Sequence, residues 1–253
     1  MADDDLAGSA YSGLREAMNR LEQVDVLALA SSRSLGDLAT GPIGELISTS
    51  FRVRPRQARS MQTVERMLAA GEAILNRSRR LDRLTMDAVA DEAGVTPQAA
   101  YRYFSDIHDL ILLGLRRVQA IEHERLLAFM TTQTFDTETD LANASVAFVL
   151  QAYQQMAQIP AAIRDRIVRD YYDVCYDALW RVSEKIHVVM VQRGDPCADI
   201  DVMQLAAALI AVVAVAKSLF LRDTALLRQH DAQLMMIGIF LGALHAAPHH
   251  RTR

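Results

Sequence analysis

The chain has 253 residues, 51% of them hydrophobic, and a formal net charge of −4 from 27 basic and 31 acidic side chains. That length and apolar content bury a full core in one large or two modest domains, which excludes a disordered chain. The slightly acidic balance excludes a uniformly basic nucleic-acid binder, so any affinity for nucleic acid must come from charge placed locally. Glycine and proline are sparse, helix-forming residues abound and no period-two stretch occurs, so the expected class is all-α. The acidic start, MADDDLAGSA, lacks the basic-then-apolar order of a secretory signal, and the longest apolar run, Leu205 to Ala216, is too short to span a bilayer. A cytoplasmic protein with no membrane association is expected. The two cysteines, Cys175 and Cys197, have neither metal-ligand spacing nor a disulfide framework and read as structural.

Residues 1–50 form an acidic extension with eight acids against three arginines, and an amphipathic helix is expected from about Gly13 to Ala30. A Ser-, Gly- and Thr-rich stretch follows, from Ser31 to Ser50. Phe51 to Arg59, FRVRPRQAR, is too proline-interrupted and charged to start a helix and reads as a flexible arm, either a linker or a minor-groove probe. Residues 51–83 carry nine arginines (Arg52, Arg54, Arg56, Arg59, Arg66, Arg77, Arg79, Arg80 and Arg83) against three acids (Glu65, Glu72 and Asp82). Such a cluster supplies sequence-independent attraction to phosphates. The acids of the extension compete for the same arginines, and at exposed sites that screening is weak and salt-sensitive.

After a first helix from about Ser60, Leu84 to Leu110 reads LTMDAVADEAGVTPQAAYRYFSDIHDL. Thr85 is placed to cap one helix, Gly94 to end it in the left-handed conformation, and Val95 to plug the turn. Thr96 then caps a second helix with Pro97 at its first position. Helical spacing puts Gln98, Tyr101 and Arg102 on one face and Ala100 and Phe104 on the other, with Ala99 keeping the leading edge slim. An amide, a phenol and a guanidinium can hydrogen-bond base edges or phosphates, so duplex DNA is the expected partner.

The run AGVTPQAAYRYF, Ala93 to Phe104, with RPRQARSMQTVERMLAAGEAIL before it, Arg54 to Leu75, resembles the TetR family of transcriptional regulators. The resemblance covers Arg54 to about Leu115. It implies DNA-facing roles for Thr96, Gln98, Ala99, Tyr101, Arg102 and Tyr103, and a phosphate-anchoring helix start at Thr85. The arm adds Arg54 and Arg56. One departure concerns the loop before the fourth helix, where the family usually places a phosphate-binding lysine and this chain has Ile107 followed by His108.

Downstream, helices are expected at about Asp109–Met130, Leu141–Gln158, Ala161–Arg193, Asp199–Arg222 and Ala225–Ala246. Aromatic side chains with polar tips point to a small-molecule site near Phe148, Tyr153, Tyr172, Cys175, Tyr176 and Trp180, although aromatics equally fill ordinary cores. The small residues of the penultimate helix and the apolar stripe of the last suggest a homodimer interface that includes Ala207, Ala211, Phe240 and Leu241; completion of a monomer core is the alternative.

No glycine-rich phosphate loop, HExxH pair or nucleophile elbow is present, and no metal site, cofactor or catalytic residue is expected. The expected organisation is an extension at 1–50, a three-helix DNA-binding domain at 51–110 and a larger helical ligand-binding and dimerisation domain at 111–253. As a family resemblance, this implies a homodimeric regulator, a repressor on a palindromic operator released by a small-molecule effector. A ligand-insensitive or architectural DNA-binding protein, or a helical small-molecule enzyme, are the other readings.

Overall fold

A computed structural model of the chain describes residues 12–21, 35–38, 47, 51–157, 161, 164–165, 168–169 and 175–246. The helices described in full or in large part are α1 (residues 12–21), α2 (Leu35–Leu38), α3 (Ala58–Ser78), α4 (Met86–Ala93), α5 (Pro97–Tyr103), α6 (Ile107–Thr132), α7 (Glu138–Met156), α8 (Cys175–Arg193), α9 (Val202–Arg222) and α10 (His230–Ala246). No strand occurs among the described residues, and the fold is all-α. The chain divides into two compact units. One comprises Leu27–Glu122 and Ile159–Tyr172; the other comprises Met1–Val26, His123–Gln158 and Asp173–Arg253.

In the first of these units, α3 buries Val64, Met67, Leu68, Gly71 and Ile74, the three- and four-residue spacing of a single helical face. The Ser60 hydroxyl donates to the Gln57 carbonyl at 2.7 Å and accepts from the Gln57 N–H at 3.2 Å, closing the helix start. The helix stops at Arg79, which takes a left-handed backbone (φ 55°) and donates its N–H to the Leu75 carbonyl. Nothing in the residue type announces that stop. α4 packs on α3, and α5 on α4.

The turn between α4 and α5 obeys the local chemistry of its residues. Thr85 Oγ1 accepts from the Ala88 N–H and Thr96 Oγ1 from the Ala99 N–H, both at 3.2 Å. Each hydroxyl satisfies a backbone donor that the first turn of a helix leaves without an internal partner. Gly94 adopts φ 62°, and the Val95 N–H closes back on the Ala90 carbonyl at 2.9 Å. Val95 itself is only half-buried; Val89, Ala90, Ala100 and Phe104 fill the space between the helices. At the start of α6, the Asp106 carboxylate accepts from the N–H groups of His108 and Asp109.

In the other unit, α1 buries Leu14, Ala17 and Leu21, and α7 is buried along most of its length from Leu141 to Leu150. Thr137 and Asp140 close the start of α7 reciprocally, as Asp201 and Gln204 do for α9. α9 packs chiefly on α10, and also on α7 and α8. The Gln204 side-chain amide donates to the Leu244 carbonyl at 2.8 Å, fixing the start of α9 against the end of α10. α9 extends beyond the uninterrupted apolar run, and its 21 residues are long and apolar enough to cross a membrane by length and composition alone. Half of its most apolar window is buried inside the unit, as in the core helix of a globular fold.

Cys197 is buried in the short 3₁₀ turn Pro196–Asp199, its thiol 3.6 Å from the Phe135 carbonyl. Burial pushes this thiol up to about 11, and the neighbouring carboxylates of Glu138, Asp140, Asp195 and Asp136 add to the effect. The native state therefore holds the proton that the unfolded chain releases near pH 9. The resulting stabilisation is complete below that pH and is lost as pH rises through about 11. The expected outcome is that Cys197 resists alkylation in native protein at pH 8 and reacts once the protein is unfolded, as peptide mass mapping would record.

Candidate nucleic-acid interface

α5 presents two chemically distinct faces. Ala100 and Phe104 are fully buried, while Thr96, Gln98, Tyr101 and Arg102 are exposed and Ala99 is half-buried on the leading edge. Tyr101 retains 42% of its surface, unusually high for a large aromatic side chain. The two caps leave Thr85 and Thr96 exposed at the N-termini of α4 and α5, where backbone N–H groups favour an anion. Tyr103 departs from this open face: it is buried, with the Arg102 guanidinium 5.9 Å above its ring.

The segment before α3 is not a free arm. The Arg52 N–H donates to the Tyr103 carbonyl at 2.9 Å, and the Phe51 ring lies 6.1 Å from that of Phe104. The Arg52 guanidinium also approaches the Tyr101 carbonyl at 3.5 Å, and Pro55 is buried. These contacts hold residues 51–57 beside the C-terminal end of α5, the end whose last carbonyls lack intrahelical donors. Periodicity and composition mark this segment only as irregular and basic, because a backbone bond between residues so far apart in sequence leaves no local signal.

Between arm and helix runs a cleft of about 510 Å³ lined by Arg54, Arg56, Arg59, Arg102 and Tyr103 together with Gln57, Ser60 and Thr63. The structure thus brings Arg54, Arg56, Arg102 and Tyr103 to one place and adds Arg59, Ser60 and Thr63, which sequence reasoning did not single out as contacts.

The arginine cluster separates by role. Arg77 pairs with Glu92 at 2.9 Å and Arg80 with Asp82, while Arg66 donates to the Ala93 carbonyl. The hydrogen bond from Arg80 is the first cause holding the Asp82 carboxyl below the usual range, and Arg77 acts likewise on Glu92. Arg54, Arg56 and Arg59 form no ion pair among the described residues, and all three are exposed. These three arginines place positive charge along the cleft.

Residues 78–112, from the end of α3 into α6, match the family model of bacterial regulatory proteins, tetR family. The chain carries a TetR-family helix-turn-helix. Among curated proteins, none matches the chain. A TetR-type helix-turn-helix implies a DNA-binding transcriptional regulator. At the position where the TetR resemblance implies a lysine, Ile107 opens α6 half-buried, and the neighbouring Asp106 and Asp109 are committed to backbone N–H groups.

The remaining sequence candidates are described only in part. Phe148 is buried with the Arg125 guanidinium 5.7 Å from its ring. Tyr153 is buried against Phe220, their ring centroids 5.0 Å apart, and its hydroxyl donates weakly to the Val213 carbonyl at 3.5 Å. Trp180 is 38% exposed and donates its indole N–H to Glu184 one turn further along α8. Tyr172 lies outside the described residues, as do the side chains of Cys175 and Tyr176. Of the interface candidates, Ala207 is exposed, Ala211 and Leu241 are half-buried, and Phe240 is fully buried. Phe240 is therefore a core residue of its own unit: its helical phase points it inward, unlike its neighbour Leu241.

Proposed function

We propose that this TetR-type regulator is a cytoplasmic, homodimeric, ligand-responsive repressor that reads a palindromic operator through α5 and is released by a small molecule. Residues 51–110 form the reading domain, residues 111–253 the sensing and dimerising domain. The observation that carries the DNA contact is the exposed Gln98–Tyr101–Arg102 face of a doubly capped helix, flanked by an arginine-lined cleft. Arg102 and Gln98 suit base edges; Thr85, Thr96, Tyr101, Arg54 and Arg56 suit phosphates. Tyr103 contributes only the edge that lines the cleft.

Two-fold pairing is favoured because one short recognition helix reads too few base pairs for useful specificity. It is also supported by the exposed apolar stripe of Met203 and Ala207 on α9 and Met235 on α10. Ligand response is supported by polar oxygens inside the sensing unit: Asn143 Oδ1 and Ser145 Oγ are buried without a hydrogen-bond partner among the described residues. A ligand group could satisfy such atoms. Its effect on operator affinity would equal its differential affinity for two conformations, typically about 1–3 kcal/mol.

Genome-wide footprinting of the tagged protein would supply the operator, and fluorescence anisotropy at rising salt then tests the cleft. Arg54→Ala/Arg56→Ala is expected to weaken operator and random DNA alike and to flatten the slope of log affinity against log salt by about two units, near one for each phosphate that is no longer neutralised. An unchanged slope removes these arginines from the interface. Failure of every cellular metabolite fraction to change operator affinity would favour a ligand-insensitive regulator.

A further inference from the structure

Within the unit that contains the helix-turn-helix, α3 and α6 line a further pocket of about 220 Å³. Leucines form its walls from three directions: Leu68 and Leu75 on α3, Leu110 and Leu115 on α6, and Leu81 and Leu84 on the turn that leads to Thr85, the cap of α4. The space exists because each of the two long helices contributes a glycine to the lining. A Cβ on Gly71 would stand 3.6 Å from Leu84 and 3.7 Å from Leu110, and one on Gly114 3.7 Å from Leu68. Those are ordinary contact distances, so methyl groups would fit where the glycines leave room.

The floor of the pocket is buried and its mouth is not. Leu68, Gly71, Leu84 and Leu110 are buried, whereas Leu75, Ile111 and Leu115 are half-buried and Val118 keeps 55% of its surface. Apolar surface facing water favours any apolar body that covers it. A cavity of roughly 150 Å³ with such a lining stays dry and takes benzene, so a pocket of this size suits one ring with a short chain.

A single charge stands at this apolar lining. Glu72 is the only charged residue among the described residues that line the pocket, and it is exposed. Two turns earlier on α3, Glu65 holds Arg117 of α6 at 3.5 Å; Glu72 forms no ion pair among the described residues. A free carboxylate beside a leucine floor is complementary to an ammonium carried on an apolar body. We propose that this pocket binds a small primary amine, its ring or branched chain among the leucines and its ammonium on Glu72. The site shares no residue with the unit that contains α7, so it stands whether or not an effector binds there.

Amide chemical shifts of the full chain, titrated with phenethylamine and with phenethyl alcohol as its uncharged counterpart, test the site. Saturable shifts are expected at Gly71, Leu75, Gly114 and Leu115 at about millimolar amine, the affinity that so small a ligand can reach. The alcohol should bind about threefold to fivefold more weakly, the range of an exposed ion pair, and Glu72→Gln should erase that difference. Gly71→Ala/Gly114→Ala fills the pocket with better helix formers and should weaken both ligands about tenfold. If that double variant does not fold, Val118→Trp at the exposed mouth decides by the same loss. The absence of saturable shifts, amine binding that survives filling, or a preference for the amine that survives Glu72→Gln overturns the proposal. Shifts restricted to α7 around Asn143 would support the effector site of the other unit and overturn this one.

Discussion

Glutamate in place of Ala207 is expected to separate the proposed dimer into monomers and to lower operator affinity about a hundredfold or more. Ala207 is exposed on α9, between the exposed Met203 one turn earlier and the half-buried Ala211 one turn later. In an isolated chain the new carboxylate stays in water, and glutamate is nearly as good a helix former as alanine. The fold should therefore be untouched, and far-ultraviolet circular dichroism should not change.

In a two-fold interface the same substitution buries a charge from each copy. Leaving such a charge unpaired costs several kcal/mol, and every 1.4 kcal/mol is about tenfold in affinity. Sedimentation would show the monomer, and anisotropy the weakened operator binding. A dimer that persists places the interface elsewhere. Ala211→Glu and Leu241→Glu are less clean, since both positions are half-buried within the single chain, and Phe240→Glu would simply unfold the core.

Arg102→Ala is expected to cut discrimination between operator and random DNA by about tenfold to a hundredfold while leaving non-specific affinity largely in place. Its guanidinium is exposed in the last turn of α5, poised above Tyr103 at the mouth of the cleft. From there it can reach a base edge, and a bidentate base contact is worth about 1–3 kcal/mol of discrimination. Tyr101→Phe should behave oppositely, weakening all sequences alike, because a lone phenol hydroxyl at that exposure suits a phosphate better than a base pair. Equal losses on both DNAs for Arg102→Ala would move the specificity contact to Gln98.

The helix-turn-helix was legible in sequence because its determinants are local. A threonine that caps, a glycine that takes φ 62° and a proline at a first helical position act within a turn or two of themselves, so Thr85, Gly94 and Thr96 to Pro97 mark the boundaries of α4 and α5 almost to the residue. What sequence hid was distant or directional. The aromatic content around Trp180 announces apolar area but not that the indole N–H turns to Glu184. Phe240 and Leu241 differ by one helical step, which suffices to send the first into the core. The Glu138–His245 pair at 3.0 Å, a histidine otherwise readable as part of a solvated tail, joins residues far apart along the chain. The left-handed stop at Arg79 has no residue-type signal at all.

The clamp of Arg52 on the Tyr103 carbonyl also bears on how this reader could be moved to another protein. A graft cut at the segment that matches the family model, residues 78–112, would carry off α5 while leaving behind the donor for one of its terminal carbonyls and the Phe51 ring beside Phe104. A cut at Ala58, where the first long helix begins, makes the same mistake. A transferable reading head must therefore include residues 51–57. Changes of DNA preference engineered or evolved in α5 will therefore be felt through residues 51–56, which travel with the recognition helix as one piece.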